Sequence, residues 1–203
     1  YYSIKAFEDS PVDEIVIVCS ADYIEYFRHS IIEKYGFKKV KAIVQGGKER
    51  YNSVYEGLKA ANGTDYVLIH DGARPLVDNE IIVRSMHTVE KEQACVAGMP
   101  VKDTIKVSDE LGYSANTPDR KSLWQIQTPQ CFEYDLLAQS YDKLFSDMSY
   151  GKNVPAITDD AMIVEYGSDT KVKLIEGSYE NIKVTTPEDM GIAELFLKKR
   201  RKM

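Results

Sequence analysis

Short apolar runs alternate with amphipathic segments along most of this chain, and that alternation restricts the fold more than any other feature. EIVIVCS (14–20) and DYVLIH (65–70) are continuous apolar runs typical of buried strands, and each precedes a longer segment with helical periodicity. Strands that alternate with helices join through right-handed crossovers, so their sheet is mostly parallel and carries helices on both faces. The pattern predicts an α/β fold in one domain of 203 residues.

Glycines, prolines and capping residues set the expected boundaries of these elements. Gly36 is expected to close the first long helix, and Thr186 followed by Pro187 and two acidic residues is typical of a helix start. Strands are predicted at 14–20, 41–45, 65–70, 94–101, 171–177 and 181–185, and helices at 21–36, 48–61, 79–92, 132–145, 158–167 and from 186 onward.

Composition narrows the class of protein. A net charge of −6 argues against a nucleic-acid coat, because phosphate binding requires a positive face. No apolar run reaches the roughly 20 residues of a membrane helix and no signal peptide is visible, so we expect a cytoplasmic protein with no nucleic-acid or membrane partner. Cys19, Cys95 and Cys131 lie far apart and are predicted to be packed thiols. The basic end, 198–203, is predicted to be a solvated tail.

The alternation breaks between Lys102 and Gln127, where two alternating segments flank a polar turn. A polar two-stranded ribbon buries little apolar surface and is unstable alone. We therefore expect residues 102–127 to form a β-arm that packs on something else, and a second subunit is the simplest partner.

The segment YVLIHDGARPLV (66–77) places charged residues directly after an apolar run. In open α/β sheets ligands bind outside the carboxyl ends of strands, so Asp71 at the end of its strand would face a binding crevice. Gly72 permits a tight turn or the close approach of a ligand. Asp71 either caps a turn and pairs with Arg74, or holds a divalent cation, for which a carboxylate oxygen is a suitable ligand.

The segment QGGKERYNS (45–53) allows two similar interpretations. Two glycines between a strand and a helix bring backbone N–H groups close to a ligand at the positive end of the helix. A tight turn with no ligand needs the same glycines. The pair alone is weak evidence for a binding loop.

Taken together, six segments resemble one family in order and spacing, the 2-C-methyl-D-erythritol 4-phosphate cytidylyltransferases. The resemblance covers nearly the whole chain and implies a nucleotidyltransferase fold with a Rossmann-like, mostly parallel sheet, flanking helices and a protruding arm. The segments are QGGKERYNSV, VLIHDGARPLV, PVKDTIKV, DRKSLWQIQTPQCF, TDDAMIVE and NIKVTTPEDM.

The resemblance implies a reaction between CTP and 2-C-methyl-D-erythritol 4-phosphate that yields CDP-methylerythritol and pyrophosphate in non-mevalonate isoprenoid biosynthesis. The nucleophile is a phosphate oxygen that is already anionic, so no Ser, Cys or His nucleophile is required. Catalysis has to bring two anions together and stabilise the charge that develops on the transferring phosphoryl group. Magnesium, Lys and Arg suit that task.

The resemblance also assigns roles to individual residues. Asp71 would bind Mg²⁺ and the nucleotide, beside Gly72 and Arg74, while Asp71, Arg120 and Lys183 would be catalytic. In this family the arm is a dimerisation element, so Arg120 would act in the neighbouring subunit's site. The residues matched to cytosine recognition are Gly47, Lys48 and Ser53, and those matched to the methylerythritol phosphate are Thr104, Arg120, Thr128 and Lys183.

One part of the family pattern is absent from this sequence. Members carry a glycine-rich nucleotide loop and a catalytic Lys ahead of the stretch matched by YYSIKAF (1–7), and that stretch has helical periodicity without a preceding cap. We therefore expect the domain to be N-terminally incomplete here, with part of the triphosphate site upstream.

Alternatives remain open for the function and for single residues. A ribitol 5-phosphate cytidylyltransferase would share the fold, a nucleotide-sugar glycosyltransferase would usually show a DxD motif, and an inactive dimeric nucleotide-binding module would tolerate the missing loop. Arg120 could pair with an acid on the arm, and Lys183 could be a surface lysine. Asp159 and Asp160 could serve only at a helix cap, and His70 could be a hydrogen-bonded histidine at a strand end.

Overall fold

The computed structural model describes residues 1–200 of the chain. Within that range, none of the helices combines the length and apolar content needed to cross a bilayer. The strands are β1 Ile15–Cys19, β2 Val40–Gln45, β3 Tyr66–Ile69, β4 Ala94–Pro100, β5 Val107–Ser108, β6 Ser114–Asn116, β7 Trp124–Glu133 and β8 Lys173–Glu176. The helices are α1 Tyr2–Glu8, a composite α2 (21–33), α3 Arg50–Ala60, α4 Asn79–Glu92, α5 Tyr134–Ser149, α6 Asp160–Gly167 and α7 Pro187–Arg200.

The central sheet is mostly parallel, as predicted. Its strands lie in the order β3-β7-β4-β8, and only β7 runs against the other three. Strands β1 and β2 form a separate parallel pair. Residues of β4 alternate between two apolar clusters, so that Ala94 and Val96 pack towards α5 and α6 while Cys95 and Ala97 pack towards α4. This confirms an α/β arrangement with helices on both faces.

The central position of β7 differs from the sequence expectation. The sequence predicts that residues 124–127 belong to the arm and 132–133 to the next helix, yet Trp124–Glu133 forms one strand between β3 and β4. Because residues 127–132 are buried in succession, the strand lacks the alternating pattern that marks a half-exposed strand. The first residues of β7 pair with the end of β4 and form the base of the arm.

A groove of about 1070 Å³ separates β1 from the central sheet. Strands β1 and β3 line its two sides, and residues of α1, α3 and α4 complete its walls. No ladder joins β1 to β3 among the residues that the structure describes. The groove reaches the carboxyl end of β3, where Asp71 and Gly72 line it.

The helix after β1 is continuous but irregular. A 3₁₀ turn at Ala21–Tyr23 leads into an α segment at Ile24–Tyr26 and a π segment at Phe27–Glu33. Gly36 follows with a φ of +67°, a left-handed conformation that glycine adopts without steric cost. Gly36 therefore ends this helical segment as predicted.

The arm projects as a short exposed ribbon. Strands β5 and β6 pair antiparallel, and all of their side chains are exposed. Leu111 and Tyr113 at its tip are 83% and 71% exposed, so these two large side chains have little contact with the rest of the described chain.

Two predictions near the end of the chain are wrong. Residues 181–185 form no strand, although the backbone N–H of Val184 donates to Ala73 O at 2.8 Å. Residues 198–200 continue α7 instead of forming a tail, and 201–203 lie outside the described residues. Pro187 begins α7 as predicted, and the Asp189 carboxylate accepts the backbone N–H groups of Thr185 and Thr186.

The cysteines behave as packed thiols. Cys95 and Cys131 are buried and lie opposite each other on β4 and β7, and Cys19 is partly buried. All three are free. Burial raises the pKa of the Cys131 thiol, which makes that group less reactive.

Candidate active site

Asp71 follows β3 and is surrounded by three cationic side chains. Lys183 Nζ lies 3.0 Å from Asp71 Oδ2, Arg50 Nε lies 3.6 Å from Oδ1, and Arg74 Nε lies 3.8 Å from Oδ2. These cations come from a loop before α7, from the start of α3 and from the turn after β3. The fold therefore gathers around one carboxylate three positive charges that are distant in sequence.

This charge arrangement keeps Asp71 ionised. Burial raises the pKa of its carboxyl group, but the hydrogen bond and charge of Lys183, together with Arg50 and Arg74, outweigh burial and hold the pKa below its usual value. The Asp71 side chain is 16% exposed, so the carboxylate keeps limited access to solvent. It is an anion that a ligand in the groove can reach.

Asp71 also takes part in the turn that the sequence suggested. The backbone N–H of Arg74 donates to Asp71 O at 2.9 Å, and Ser3 Oγ donates to Gly72 O at 3.0 Å. Pairing of Asp71 with Arg74 therefore exists beside the contacts to Lys183 and Arg50. The turn and the charged cluster are parts of one structure.

A chain of hydrogen bonds supports the backbone of Asp71 from behind. The Asp71 N–H donates to Thr128 Oγ1 at 3.1 Å, and that hydroxyl lies 3.0 Å from His70 Nδ1. His70 Nε2 lies 3.0 Å from the Arg74 carbonyl oxygen, which can only accept. Nε2 therefore carries the proton and Nδ1 accepts from Thr128, so His70 is a hydrogen-bonded strand-end histidine.

Thr128 lies beside this turn and is almost fully buried. Its side chain is 3% exposed, and its hydroxyl is already engaged by Asp71 and His70. This geometry makes Thr128 a support for the Asp71 turn. A direct contact between Thr128 and a substrate stays a prediction.

Arg74 joins the turn to the segment that carries Lys183. Its Nη1 donates to Asn181 O at 2.8 Å and its Nη2 donates to Ile126 O at 3.4 Å. The backbone bond from Val184 to Ala73 O connects the same two segments. Lys183 thus reaches Asp71 because its own segment is fixed to the turn after β3.

The glycine loop ahead of α3 is closed by its own side chains. The Gly47 N–H donates to Ser53 Oγ at 3.1 Å, and a Cβ atom on Gly47 would lie 2.4 Å from Asn52 Cβ. Glu49 and Asn52 form a reciprocal capping box at the start of α3. Gly47 is therefore required by the tight turn, and the roles of Gly47, Lys48 and Ser53 at cytosine stay predictions.

Thr104 and Arg120 lie on the exposed arm, apart from this cluster. Arg120 Nη1 donates to Lys102 O at 2.7 Å, and both Arg120 and Thr104 are exposed. Among residues 1–200, no hydrogen bond or ion pair connects either of them to Asp71 or Lys183 within the one chain. Their assignment to the methylerythritol phosphate stays a prediction.

The sequence reasoning missed Arg50, and it considered Asp160 only as an acid at a helix cap. Arg50 contacts Asp71, and it also bonds to Asp160, which is fully buried. The Asp159 side chain accepts a hydrogen bond from the Met162 N–H, so Asp159 is the N-cap of α6. This agrees with the helix-cap interpretation of Asp159. The sequence feature that could have indicated Arg50 is its position as a positively charged residue just after the glycine loop.

The charged cluster offers a divalent cation one partly exposed carboxylate, that of Asp71. No group of three or more His, Cys, Asp or Glu side chains able to hold a metal occurs within the described residues. Mg²⁺ commonly binds through one or two carboxylates plus substrate phosphates and water. Asp71 fits Mg²⁺ on that basis, with a nucleotide supplying further oxygens.

Comparison with known proteins points to one family. The family model described as IspD, 2-C-methyl-D-erythritol 4-phosphate cytidylyltransferase, matches residues 1–199. A relative from Lachnospira eligens with that name is 51% identical over 199 residues, covering 98% of this chain and 86% of the relative. One from Alkaliphilus oremlandii is 50% identical over 202 residues, covering 98% and 83%.

Solved structures agree with the sequence comparison. The crystal structure of 4-diphosphocytidyl-2C-methyl-D-erythritol synthase from Anaerococcus prevotii superposes with a TM-score of 0.86 at 33% identity, covering 97% of this chain and 84% of that one. A cytidylyltransferase structure from Thermus thermophilus gives a TM-score of 0.76 at 25% identity, covering 97% and 87%.

The hydrogen-bonded state of His70 predicts a pH-dependent contribution to stability. Removal of the ring from water is the main cause that lowers its pKa from 6.5 to about 4. Between pH 6.5 and about 4, His70 binds a proton in the unfolded chain but stays neutral in the folded chain. The free energy of unfolding therefore falls as the pH drops from 6.5 to about 4. Relative to His70→Gln, the wild-type free energy of unfolding should decrease by about 3 kcal/mol between pH 6.5 and 4.

Denaturant unfolding at several pH values measures this difference. His87→Gln, on the exposed side of α4, is the matched control and should retain the wild-type pH dependence. A His70→Gln protein whose stability follows the wild-type curve throughout would contradict the assignment of a neutral His70.

Proposed function

Because this chain belongs to the 2-C-methyl-D-erythritol 4-phosphate cytidylyltransferase family and is therefore a nucleotidyltransferase of the non-mevalonate isoprenoid pathway, we propose that the Asp71 cluster is its reaction centre. A phosphate oxygen of 2-C-methyl-D-erythritol 4-phosphate attacks the α-phosphorus of CTP. The bond from that phosphorus to the departing pyrophosphate oxygen breaks, and CDP-methylerythritol remains. The protein has to place the two reactants in line and balance their charge.

The observation that carries this proposal is the ionised Asp71 carboxylate among Lys183, Arg50 and Arg74 at the carboxyl end of β3. A nucleotidyltransferase brings two polyanions together, so it needs positive groups held at fixed positions before the substrates arrive. The acidic net charge of the protein does not oppose binding, because the local cluster is cationic. Three positive groups and two carboxylates, Asp71 and Asp160, leave a local excess of positive charge.

The three cations are suited to different tasks. Arg74 is anchored by two carbonyl oxygens and is only 12% exposed, so it maintains the turn. Lys183 is 45% exposed and its ammonium group pairs with Asp71. A flexible lysine of this kind is able to leave the carboxylate and bind the incoming phosphate of the polyol. We assign Lys183 the role of holding that phosphate in place for its attack on the α-phosphorus of CTP.

Magnesium is proposed as the metal of the reaction. Asp71 would hold it together with oxygens of the nucleotide, and Gly72 and Arg74 shape the edge beside that position. When bound, the ion neutralises phosphate charge in the transition state. The Asp71 carboxylate would then act as a ligand of the cation, and the reaction needs no proton transfer from Asp71.

The substrate site is proposed to be shared between two subunits. The exposed arm carries Arg120 and Thr104, and its apolar tip residues lack a partner in the single chain. An Arg binds phosphate with two donors at once, so Arg120 from one subunit would complete the polyol phosphate site of the other. Closed two-fold symmetry places the two arms equivalently.

Replacing Asp71 tests the proposed reaction centre. Asp71→Asn keeps the size of the side chain but removes the charge that pairs with Lys183 and binds the metal. We expect the protein to stay folded and kcat to fall by about 100-fold or more, since losing one such group typically costs about 3 kcal/mol. Pyrophosphate release with CTP, Mg²⁺ and 2-C-methyl-D-erythritol 4-phosphate measures it.

Asp169→Asn, an exposed aspartate after α6, is the control and should leave turnover unchanged. If folded Asp71→Asn turned over at the wild-type rate, Asp71 would be only a turn residue and the reaction would occur elsewhere.

Mixed dimers test the shared site. Arg120→Ala should weaken substrate binding and turnover without unfolding the protein, because an exposed Arg adds little stability. In a heterodimer of Arg120→Ala and Asp71→Asn subunits, one site carries both lesions and the other has an intact Asp71 and an intact Arg120. With free subunit exchange, about a quarter of wild-type activity should return. Confirmed heterodimers that recover nothing would show that Arg120 acts only within its own subunit.

A further inference from the structure

Arg50 lies between two carboxylates from different parts of the chain. It is the first residue of α3, and its Nη2 donates a hydrogen bond of 2.7 Å to Asp160 Oδ2, while its Nε lies 3.6 Å from Asp71 Oδ1. A guanidinium group is planar and its donors point in fixed directions, so anchoring one nitrogen sets the direction of the others. Asp160 therefore determines how Arg50 faces Asp71.

Asp160 is itself held from several sides. It is fully buried at the start of α6, its Oδ1 accepts from the Tyr141 hydroxyl at 2.9 Å, and its backbone N–H donates to Gln130 Oε1 at 3.0 Å. Gln130 belongs to β7, where it pairs with Ile69 at the end of β3. The anchor of Arg50 is thus fixed to the same pair of strands that positions Asp71.

Stability is a weak explanation for this pair. Taking the charge of Asp160 out of water is unfavourable, and apolar residues of similar volume often replace buried ion pairs with no loss of stability. Burial raises the pKa of Asp160, and the attraction of Arg50 and the bond from Tyr141 offset only part of that rise. A charged pair in this place is better explained by what its exposed end contacts, which is Asp71.

Arg50 and Lys183 differ in how firmly their charged groups are held. Arg50 is 35% exposed and bound to a buried carboxylate, whereas Lys183 is 45% exposed and pairs with Asp71. When Lys183 moves to a substrate phosphate, Asp71 loses its closest partner. Arg50 stays beside Asp71 because Asp160 retains it.

We propose that Arg50, aimed by the buried Asp160, is a positioning residue for cytidylyl transfer, which holds the Asp71 carboxylate in its reactive orientation after Lys183 has turned to the substrate. This inference rests on the proposed role of the Asp71 cluster. Arg50 acts through Asp71 and touches neither reacting phosphate. Arg50 and Asp160 therefore support the reaction by positioning Asp71, and neither of them contacts the reacting groups.

A double-mutant cycle on kcat tests whether Arg50 acts through Asp71. The proteins are wild type, Arg50→Met, Asp71→Asn and the double variant, assayed for pyrophosphate release with CTP, Mg²⁺ and 2-C-methyl-D-erythritol 4-phosphate. Arg50→Met should lower kcat about 10-fold or more with at most about a twofold change in the KM for CTP. In the Asp71→Asn background the same change should have no further effect on kcat.

Two further variants keep the test independent of folding. Asp160→Asn retains the shape of the anchor but removes its charge, so it should reproduce part of the loss of kcat, and circular dichroism at the assay temperature checks that the variant is folded. Arg28→Met, on the exposed side of α2, should leave kcat and KM unchanged. If Arg50→Met fails to fold, Asp160→Asn carries the test, and a wild-type kcat for that variant overturns the proposal.

The remaining outcomes separate the inference from the proposed function. Losses from Arg50→Met and Asp71→Asn that multiply would show that Arg50 acts independently of Asp71, and a raised KM with unchanged kcat would make Arg50 a direct substrate ligand. Either result overturns the positioning role. Normal turnover by Asp71→Asn alone would instead overturn the proposed function of the cluster.

Discussion

The electrostatic balance around Asp71 is the interaction on which the site depends. A carboxylate that is largely removed from water would ordinarily shift towards its neutral form, and it stays ionised because Lys183, Arg50 and Arg74 lie around it. Each cation is held by a different part of the fold. The site therefore exists only when the turn after β3, the start of α3 and the segment before α7 are all in place.

Strand β7 is what brings those parts together. It lies between β3 and β4. Its Thr128 hydroxyl accepts a hydrogen bond from the Asp71 N–H, and its Gln130 side chain accepts one from the Asp160 N–H. One buried strand thus supports both carboxylates that Arg50 bridges. Disturbing β7 should alter the geometry of the charged cluster before it alters the sheet as a whole, because hydrogen-bonded polar side chains in a buried site tolerate little displacement.

Much of this arrangement could be predicted from the sequence, and the exceptions have physical causes. The strand before Asp71, the glycine loop and the pattern of strands and helices follow from local periodicity and turn chemistry. Strand β7 was partly assigned to the arm and to a helix because a strand buried on both faces shows no alternation. The residues 181–185 look like a strand but contribute a single backbone bond to the turn.

The candidate site was predicted less completely than the fold. Asp71, Arg74 and Lys183 were identified, and the structure brings them together. Arg50 was missed and Asp160 was considered only at a helix cap, because the two residues are 110 positions apart and no local pattern reports a contact of that separation. Thr104 and Arg120 depend on a second subunit in the proposed arrangement, so neither the sequence nor one chain alone defines their position.

The central claim is that this protein joins CTP to 2-C-methyl-D-erythritol 4-phosphate. The most direct measurement is kcat/KM for pyrophosphate release from CTP and Mg²⁺ with a panel of polyol phosphates that includes ribitol 5-phosphate. The account predicts at least about a tenfold preference for 2-C-methyl-D-erythritol 4-phosphate, because the segments PVKDTIKV and KVTTPED resemble the family that uses this substrate. An equal or greater kcat/KM for ribitol 5-phosphate would contradict it.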